Sequence, residues 1–217
     1  MERVLPSAFL FRWSIPASYR AELPDRLGQR PGWAEDCLLP VLAELDAGPQ
    51  FATWSVAWNA DGLAVAVQVR GKQQPVQCDA ANPLRSDALE IWIDTRCTQN
   101  VHRATRFCHR FCALPRGSRK GSEPVVIPIP FANARETTSA RTPPECLAKS
   151  ALHDGGYDLA VWLPAEALVG FDPDANPRLG FYLAVRDAEL GEQYLTVGRE
   201  FPIDFDPSQW QTLELVK

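Results

Sequence analysis

The sequence predicts an all-β fold, an antiparallel β-sandwich of about ten strands with minimal helix. Two observations carry this prediction. Short segments alternate apolar with polar residues, which is the period of a β-strand. Turn-forming residues, among 19 prolines and 13 glycines, separate those segments. Many short strands between turns are typical of a sandwich, and we expect residues 1–217 to form a single domain.

The first strands are predicted in the N-terminal quarter and just beyond it. Residues 8–15 are rich in aromatic side chains and end at a proline, which predicts a strand. Residues 20–50 contain four prolines and predict a loop, with one helical turn over 41–45. Residues 51–58 and 63–70 flank Asn-Ala-Asp-Gly, a sequence that predicts a β-hairpin.

The later strands follow the same alternation and are interrupted by one long excursion. Residues 115–150 are rich in Pro, Gly, Ser and Arg and contain one apolar island at 125–129. A proline in the first turn predicts a short helix over 164–168. The strands predicted in this part cover residues 86–95, 105–114, 157–163, 180–187, 193–197 and 210–216.

Composition excludes several classes of function. The net charge of −5 and the isoelectric point near 5.3 argue against a general binder of nucleic acid or of anionic membranes. No apolar run reaches the roughly 20 residues of a membrane span. Residues 1–19 lack the apolar core of a secretory signal, which predicts a cytoplasmic protein. The six cysteines show no CxxC motif and are expected to be reduced.

The strand over residues 86–95 has the most informative pattern. Leu89, Ile91 and Ile93 would form a core face, and the opposite face would carry Ala88, Glu90, Trp92 and Asp94. A carboxylate beside an indole is a common means of holding a sugar, since the ring packs on C–H groups and the carboxylate accepts hydroxyl hydrogens. The alternative is an ordinary outer sheet face whose tryptophan is covered by a loop.

Five segments in order carry a resemblance to a known family. They are WNADGL (58–63), SDALEIWID (86–94), GGYDLAVWLP (155–164), LGFYLAVRDAELGE (179–192) and DPSQWQTLEL (206–215). Over about residues 51–217 the chain resembles the family 9 carbohydrate-binding modules and their relatives in the DOMON-like superfamily. The resemblance implies a jelly-roll-like sandwich that binds saccharides without catalysis.

The resemblance also implies site residues. Glu90 matches the family's carboxylate that accepts sugar hydroxyls, and Arg106 and Arg110 are the candidates for its arginine on the next strand. Two tryptophans enclose the sugar in the family. The corresponding regions here hold Leu84 and residues 203–205, so the tryptophan pair is not reproduced.

Other aromatic residues are candidates for contacting the saccharide in place of that pair. Trp92 would act as a single platform, and Tyr182 or Trp162 would extend the binding surface.

A basic strip gives a further hypothesis about the ligand. Its members are Arg103, Arg106, Arg110, Arg116, Arg119 and Lys120. Guanidinium groups bind anions in a bidentate manner, so the strip would bind an acidic saccharide, a phosphorylated ligand or nucleic acid, and in a sugar-binding protein it would favour an acidic sugar. The alternative is a solvated strand edge and loop.

Cofactor and enzyme assignments have less support. Asp172, Asp174, Asp187 and Glu189 offer oxygen ligands for a structural calcium ion, or are ordinary turn residues. No other cofactor is required, and no GxSxG, HExxH, P-loop or GxGxxG motif occurs. We therefore favour a non-catalytic saccharide-binding domain. The alternatives are a structural or protein-interaction sandwich that has lost the sugar site and, third, a glycoside-processing enzyme.

Overall fold

The computed structural model describes residues 6–28, 33–40, 42, 48–119, 122–132, 134 and 145–217. Their helical content is small: one short helix, α1 (Trp33–Asp36), and 3₁₀ turns at Ser7–Leu10, Pro83–Arg85, Ala165–Ala167 and Pro207–Gln209. The strands are β1 (Ser14–Tyr19), β2 (Ala52–Asn59), β3 (Gly62–Arg70), β4 (Ala88–Asp94), β5 (Cys108–Leu114), β6 (Val125–Pro128), β7 (Leu147–His153), β8 (Gly156–Pro164), β9 (Arg178–Asp187), β10 (Gly191–Tyr194) and β11 (Gln211–Val216). The predicted all-β class is confirmed.

The strands form one sheet in the order β6-β5-β4-β9-β11-β1-β2-β3-β8-β7, with β10 also paired to β9. The end strands β6 and β7 contact each other, so the sheet is nearly closed. The prediction of a purely antiparallel sheet is wrong at one place, because β1 is parallel to both β11 and β2. In the described part of the chain, no helix has the length and apolar character needed to cross a membrane.

The first strand lies later than predicted. Residues 7–10 form a 3₁₀ turn, and β1 runs through Pro16 instead of stopping before it. Pro16 is tolerated because β1 pairs only with β11 at that position, and its pairing with β2 starts at Ser18. A residue without an amide hydrogen fits where one side of the strand has no partner.

The predicted excursion over 115–150 contains two strands. Its apolar island becomes β6, and β7 occupies its end and the following residues. The short helix predicted at 164–168 is a 3₁₀ turn, and the hairpin of β2 and β3 forms as predicted. The helical turn predicted over 41–45 lies outside the described residues except at Leu42.

Strand β4 is buried on both faces, since all seven of its residues are buried. The main hydrophobic cluster contains Leu89, Ile91 and Ile93 of β4 together with Val65 of β3 and Leu159 of β8. The predicted core face is therefore confirmed.

A buried ammonium ion links the two halves of the sheet. Lys72, just after β3, lies 2.6 Å from a carboxylate oxygen of Asp187 and 3.2 Å from one of Asp87. Burial alone would lower the pKa of Lys72, but its hydrogen bond to Asp187 and the charge of Asp87 outweigh burial, and the pKa is raised. Backbone amides, including Gln77 and Leu190, donate to the two carboxylates. The Lys72 ammonium therefore remains protonated and paired with the two carboxylates.

Two glycines give a matched test of the packing between β3 and β8. A Cβ atom at Gly156 would overlap the carbonyl oxygen of Val69, whereas one at Gly71 would meet nothing within 4 Å. Both residues have positive φ, so an alanine is strained at either position. We expect Gly71→Ala to cost about 1 kcal/mol and Gly156→Ala at least 2 kcal/mol more, measured as the free energy of unfolding in urea. Equal losses would contradict the described strand contact.

Candidate functional site

Glu90 is the centre of a cluster of three arginines. Its side chain on β4 is 0% exposed. Arg110 on β5 lies opposite Trp92, and Arg186 on β9 lies opposite Ala88. These positions place both guanidiniums on the face of Glu90, each two residues along the strand from it and on opposite sides.

Each carboxylate oxygen of Glu90 accepts charge-assisted hydrogen bonds. Arg110 Nη2 donates to Oε2 at 2.7 Å. Arg199 Nη2 donates to Oε1 at 2.5 Å, and Arg186 Nη2 donates to the same oxygen. Both oxygens are thus engaged in the described structure, and Glu90 holds three cations in place.

Two further carboxylates lie at the outer edge of this cluster. Glu192 on β10 accepts from Arg199 Nε at 3.1 Å and from Arg186 Nε at 3.3 Å. Asp204 accepts from Arg199 Nη1 at 2.6 and 2.8 Å and lies 3.0 Å from Arg110 Nη2. Three positive and three negative groups therefore balance.

The exposure of the side chains rises from the floor of the cluster to its rim. Arg110 is 9% exposed, Arg199 is 26% exposed and Asp204 is 37% exposed. The buried floor and the solvent-facing rim give the cluster the form of a polar site open on one side. We call it the Glu90 cluster, comprising Glu90, Arg110, Arg186, Glu192, Arg199 and Asp204.

The rim groups are held in their charged forms. Burial by itself would lower the pKa of Arg199, but the negative charges of Glu90, Asp204 and Glu192 outweigh burial, and the pKa is raised. Burial would raise the pKa of Glu192, but the hydroxyl of Tyr194 and the guanidinium of Arg199 outweigh it, and the pKa is lowered. Both groups stay ionised across the neutral range.

Three buried N–H groups around Glu90 lack a hydrogen-bond partner within the described residues. They are Arg110 Nε, Arg186 Nη1 and Trp92 Nε1. Buried donors without partners are rare in folded proteins and cost about 1–3 kcal/mol each. All three are donors, so the described cluster has a surplus of buried hydrogen-bond donors.

The predicted aromatic platform does not reach the surface. Trp92 is fully buried: the Arg110 guanidinium lies 4.9 Å from its ring, and Tyr182 packs edge-on at 5.7 Å. Tyr182 is also buried, and its hydroxyl donates to the carbonyl of Val197. The expectation that these rings present a face to a ligand is therefore wrong in this structure. In this structure Trp92 supports Arg110 through a cation–π contact, and Tyr182 packs against Trp92.

Trp162 lies away from the Glu90 cluster. It is buried on β8 in a second hydrophobic cluster with Leu23, Leu27 and Trp33. Strand β8 is six positions from β4 in the sheet order, so Trp162 does not extend the site as predicted. The cause is the cover provided by Leu23, Leu27, Trp33 and Cys37, in a part of the chain that the sequence indicated only as a loop.

The basic strip is dispersed by the fold. Arg110 is part of the Glu90 cluster, whereas Arg106 lies before β5 with its guanidinium 4.9 Å from the ring of Phe107. Arg116 donates to the carbonyl of Val76. Lys120 lies outside the described residues. Of the two candidate arginines on this strand, the structure brings Arg110 to Glu90.

The predicted calcium ligands have other partners. Asp187 binds the ammonium of Lys72, and Glu189 accepts from the backbone amides of Gln73 and Gln74. Asp172 accepts from the Ala175 amide, and Asp174 lies 3.4 Å from Lys217 Nζ. Among the described residues, no three Asp, Glu, His or Cys side chains form a group that could hold a metal ion. The expectation of a calcium site at these four residues is not supported, because Lys72 supplies the cation at Asp187.

One further set of polar residues resembles a hydrolase triad in composition only. His102, Asp206 and Ser208 lie together, with Nδ1 of His102 3.2 Å from both Asp206 Oδ2 and Ser208 Oγ. In a triad the serine and the aspartate contact different nitrogens of the imidazole. This arrangement therefore lacks the geometry that activates a serine.

Sequence reasoning missed four members of the Glu90 cluster: Arg186, Glu192, Arg199 and Asp204. Alternation on β9 carried a signal for one of them, because Arg186 follows Tyr182 and Ala184 on the face opposite to the predicted core residues. Arg199 and Asp204 lie in a turn-rich segment with no periodicity that fixes their direction.

The fold and the cluster together define an all-β domain with a partly open polar site on one sheet face. The sequence profile described as Carbohydrate family 9 binding domain-like matches residues 39–217. The chain belongs to this family. A comparison with curated protein sequences gives no match.

Solved structures with the same fold include two of a family 9 carbohydrate-binding module from Caldicellulosiruptor kristjanssonii. The complex with cellotriose is 14% identical with a TM-score of 0.61, covering 94% of this chain and 93% of that one. The complex with glucose is 14% identical with a TM-score of 0.62, covering 94% and 96%. A solved structure from Bacteroides uniformis, described as a putative carbohydrate-binding protein, is 11% identical with a TM-score of 0.57. The match covers 95% of this chain and 100% of that one.

Removing the central charge should destabilise the fold. In Glu90→Gln, three guanidiniums would surround a buried neutral amide, and we expect a loss of about 3–5 kcal/mol in the free energy of unfolding. Glu214→Gln is the control, because Glu214 pairs with Arg178 at 3.8 Å on the surface and should cost under about 1 kcal/mol. Urea denaturation measures both. A similar small loss in the two variants would contradict the central role of Glu90.

The buried imidazole of His109 on β5 gives a pH prediction. Burial lowers the pKa of His109 to about 4, below its value of about 6.5 in an unfolded chain. The unfolded state therefore binds the proton first, so this contribution to stability is complete above about pH 6.5 and is lost progressively toward pH 4. We expect a loss of about 3 kcal/mol that is absent from His109→Phe, measured by urea denaturation across this range. If the free energy of unfolding of His109→Phe and of the unaltered protein varied with pH in the same way, this prediction would be contradicted.

Proposed function

We propose that this protein binds saccharides without catalysis at the Glu90 cluster. The observation that carries the proposal is a buried carboxylate that orients three guanidiniums beneath a partly exposed polar rim. The partly exposed guanidinium of Arg199 can donate to oxygen acceptors, which saccharide hydroxyl and ring oxygens supply. Family membership supports the same function, and the C. kristjanssonii module was solved with cellotriose and with glucose.

The proposal assigns different roles to the floor and the rim. Glu90 positions the arginines, since both of its oxygens are engaged by them. Arg110, Arg186 and Arg199 donate to saccharide oxygens, and Glu192 accepts from a saccharide hydroxyl. Trp92 supports Arg110 instead of contacting the sugar.

We infer further that the sheet folds into the two layers of a jelly-roll-like sandwich. Residues of β4 and β9 share one hydrophobic cluster with residues of β3 and β8, which lie far away in the sheet order. The Gln193 side chain on β10 both accepts from and donates to the backbone of Ala52 on β2. Such contacts between distant strands are what a two-layered core requires.

One observation favours a second candidate, a structural or protein-interaction domain without a sugar site. Trp92 and Tyr182 are fully buried, so the cluster lacks an aromatic face at its floor. Exposed aromatic side chains lie instead on the N-terminal segment at Phe9 and Phe11. Exposed apolar groups close together are a common feature of protein-interaction surfaces.

Calorimetric titration with glucose and cello-oligosaccharides tests the proposal. We expect Arg199→Gln to weaken binding about tenfold or more, because a partly exposed donor at the rim is lost while Glu90 keeps two arginines. Arg178→Gln is the matched control, since it removes an exposed arginine of β9 outside the cluster. Its affinity should equal that of the unaltered protein.

Two results would overturn the proposal. The unaltered protein would bind no saccharide across a panel of neutral and acidic glycans, or Arg199→Gln and Arg178→Gln would bind equally well. The first result would favour the interaction domain.

A further inference from the structure

Arg199 and Arg110 together form a receptor for a carboxylate group, and the Asp204 side chain occupies it. Arg199 Nη1 contacts both of its oxygens, at 2.6 and 2.8 Å, and Arg110 Nη2 lies 3.0 Å from one of them. Asp204 is the most exposed member of the Glu90 cluster. A carboxylate held by two guanidiniums at a solvent-facing position is the arrangement by which proteins bind an external carboxylate.

The two arginines do not depend on Asp204 for their placement. Arg110 and Arg199 each donate to buried Glu90, and Arg110 also lies over the ring of Trp92. If the Asp204 side chain turned toward solvent, both guanidiniums would keep these anchors. The receptor would then be empty but still formed, which favours binding because little ordering is required.

The backbone on both sides of Asp204 is fixed independently of its side chain. Ile203 is fully buried, and its carbonyl accepts from the indole nitrogen of Trp210 at 2.9 Å. The amides of Phe205 and Asp206 both donate to the carbonyl of Pro202. Displacing Asp204 therefore requires a rotation of one side chain and leaves the turn in place.

We propose that this receptor takes the carboxylate of an acidic saccharide, a uronate, in place of Asp204. The inference rests on the proposed saccharide-binding function and specifies its ligand class. Replacement of one carboxylate by another keeps the charges of the cluster balanced.

Asp204 competes with such a ligand from within the same chain. A group tethered beside its receptor has a high effective concentration, so the internal carboxylate reduces the apparent affinity for a free uronate. Removal of its charge would leave three guanidiniums facing Glu90 and Glu192 alone. The excess positive charge would attract an anionic ligand.

The test compares Asp204→Asn with the unaltered protein by calorimetric titration, at constant ionic strength, with glucuronate and with glucose. We expect the affinity for glucuronate to rise about tenfold or more relative to the affinity for glucose. Asp204→Ser, which also lacks the charge, should give the same change. Thermal unfolding of both variants verifies that they are folded.

Glu200→Gln is the matched control. Glu200 is an exposed carboxylate four residues away whose described contact is with the Gly198 amide. Its removal changes the net charge by the same amount without opening the receptor, so the ratio of the two affinities should not change. An equal rise in Glu200→Gln would overturn the inference in favour of a general charge effect.

The remaining outcomes separate this inference from the proposed function. If glucose binds but Asp204→Asn gains no affinity for glucuronate, the receptor is wrong and the saccharide site stands. If neither protein binds any sugar, both fail. If glucose 6-sulfate gains as much as glucuronate, the site is a general anion receptor and the assignment to a carboxylate is overturned.

Discussion

The buried carboxylate of Glu90 is the constraint on which the candidate site depends. A fully buried negative charge is tolerated only when cations and donors surround it, and three guanidiniums meet that need here. The same contacts fix the direction of each arginine. The arginines that stabilise the buried charge are therefore already ordered as hydrogen-bond donors. Their side chains have less conformational freedom to lose when a ligand binds.

A second buried charge plays a different part in the molecule. The ammonium of Lys72 joins Asp187, at the end of β9, with Asp87, just before β4. Its carboxylate partners also accept from backbone amides, which fixes them in place. The Glu90 cluster retains unpartnered donors and a solvent-facing rim. Of these two buried ion groups, the Lys72 group has the features of a structural link and the Glu90 cluster those of a binding site.

Much of the fold could be predicted from sequence because apolar alternation follows directly from burial. The core face of β4 and the hairpin of β2 and β3 are examples. Strand β7 was not predicted, because most of its residues are exposed and its sequence shows little alternation. The parallel pairing of β1 with β11 joins strands near opposite ends of the chain, and no local sequence pattern indicates such a long-range pairing.

Prediction of the site had a similar limit. Glu90 could be named from the alternation of its strand, whereas Arg110 was one of two candidates that the family resemblance implied, because the register of the next strand, which pairs Arg110 with Trp92, is not readable from sequence. The alternation left open whether Trp92 is a platform or is covered, because its burial depends on the side chain of Tyr182, which in turn is held by the backbone at Val197. Contacts made by loops are decided by tertiary packing, and Asp204 belongs to this group as well.

The rise in exposure from the floor of the cluster to its rim has a consequence for the response to salt. Mobile ions screen charges that face water and hardly reach those excluded from it, with a Debye length of about 8 Å at physiological ionic strength. Added salt therefore weakens the pairs made by Asp204 and Glu192 well before it affects those made by Glu90. The ion pairs at the rim of the cluster therefore respond to the salt concentration, while the pairs of Glu90 at its floor keep their geometry.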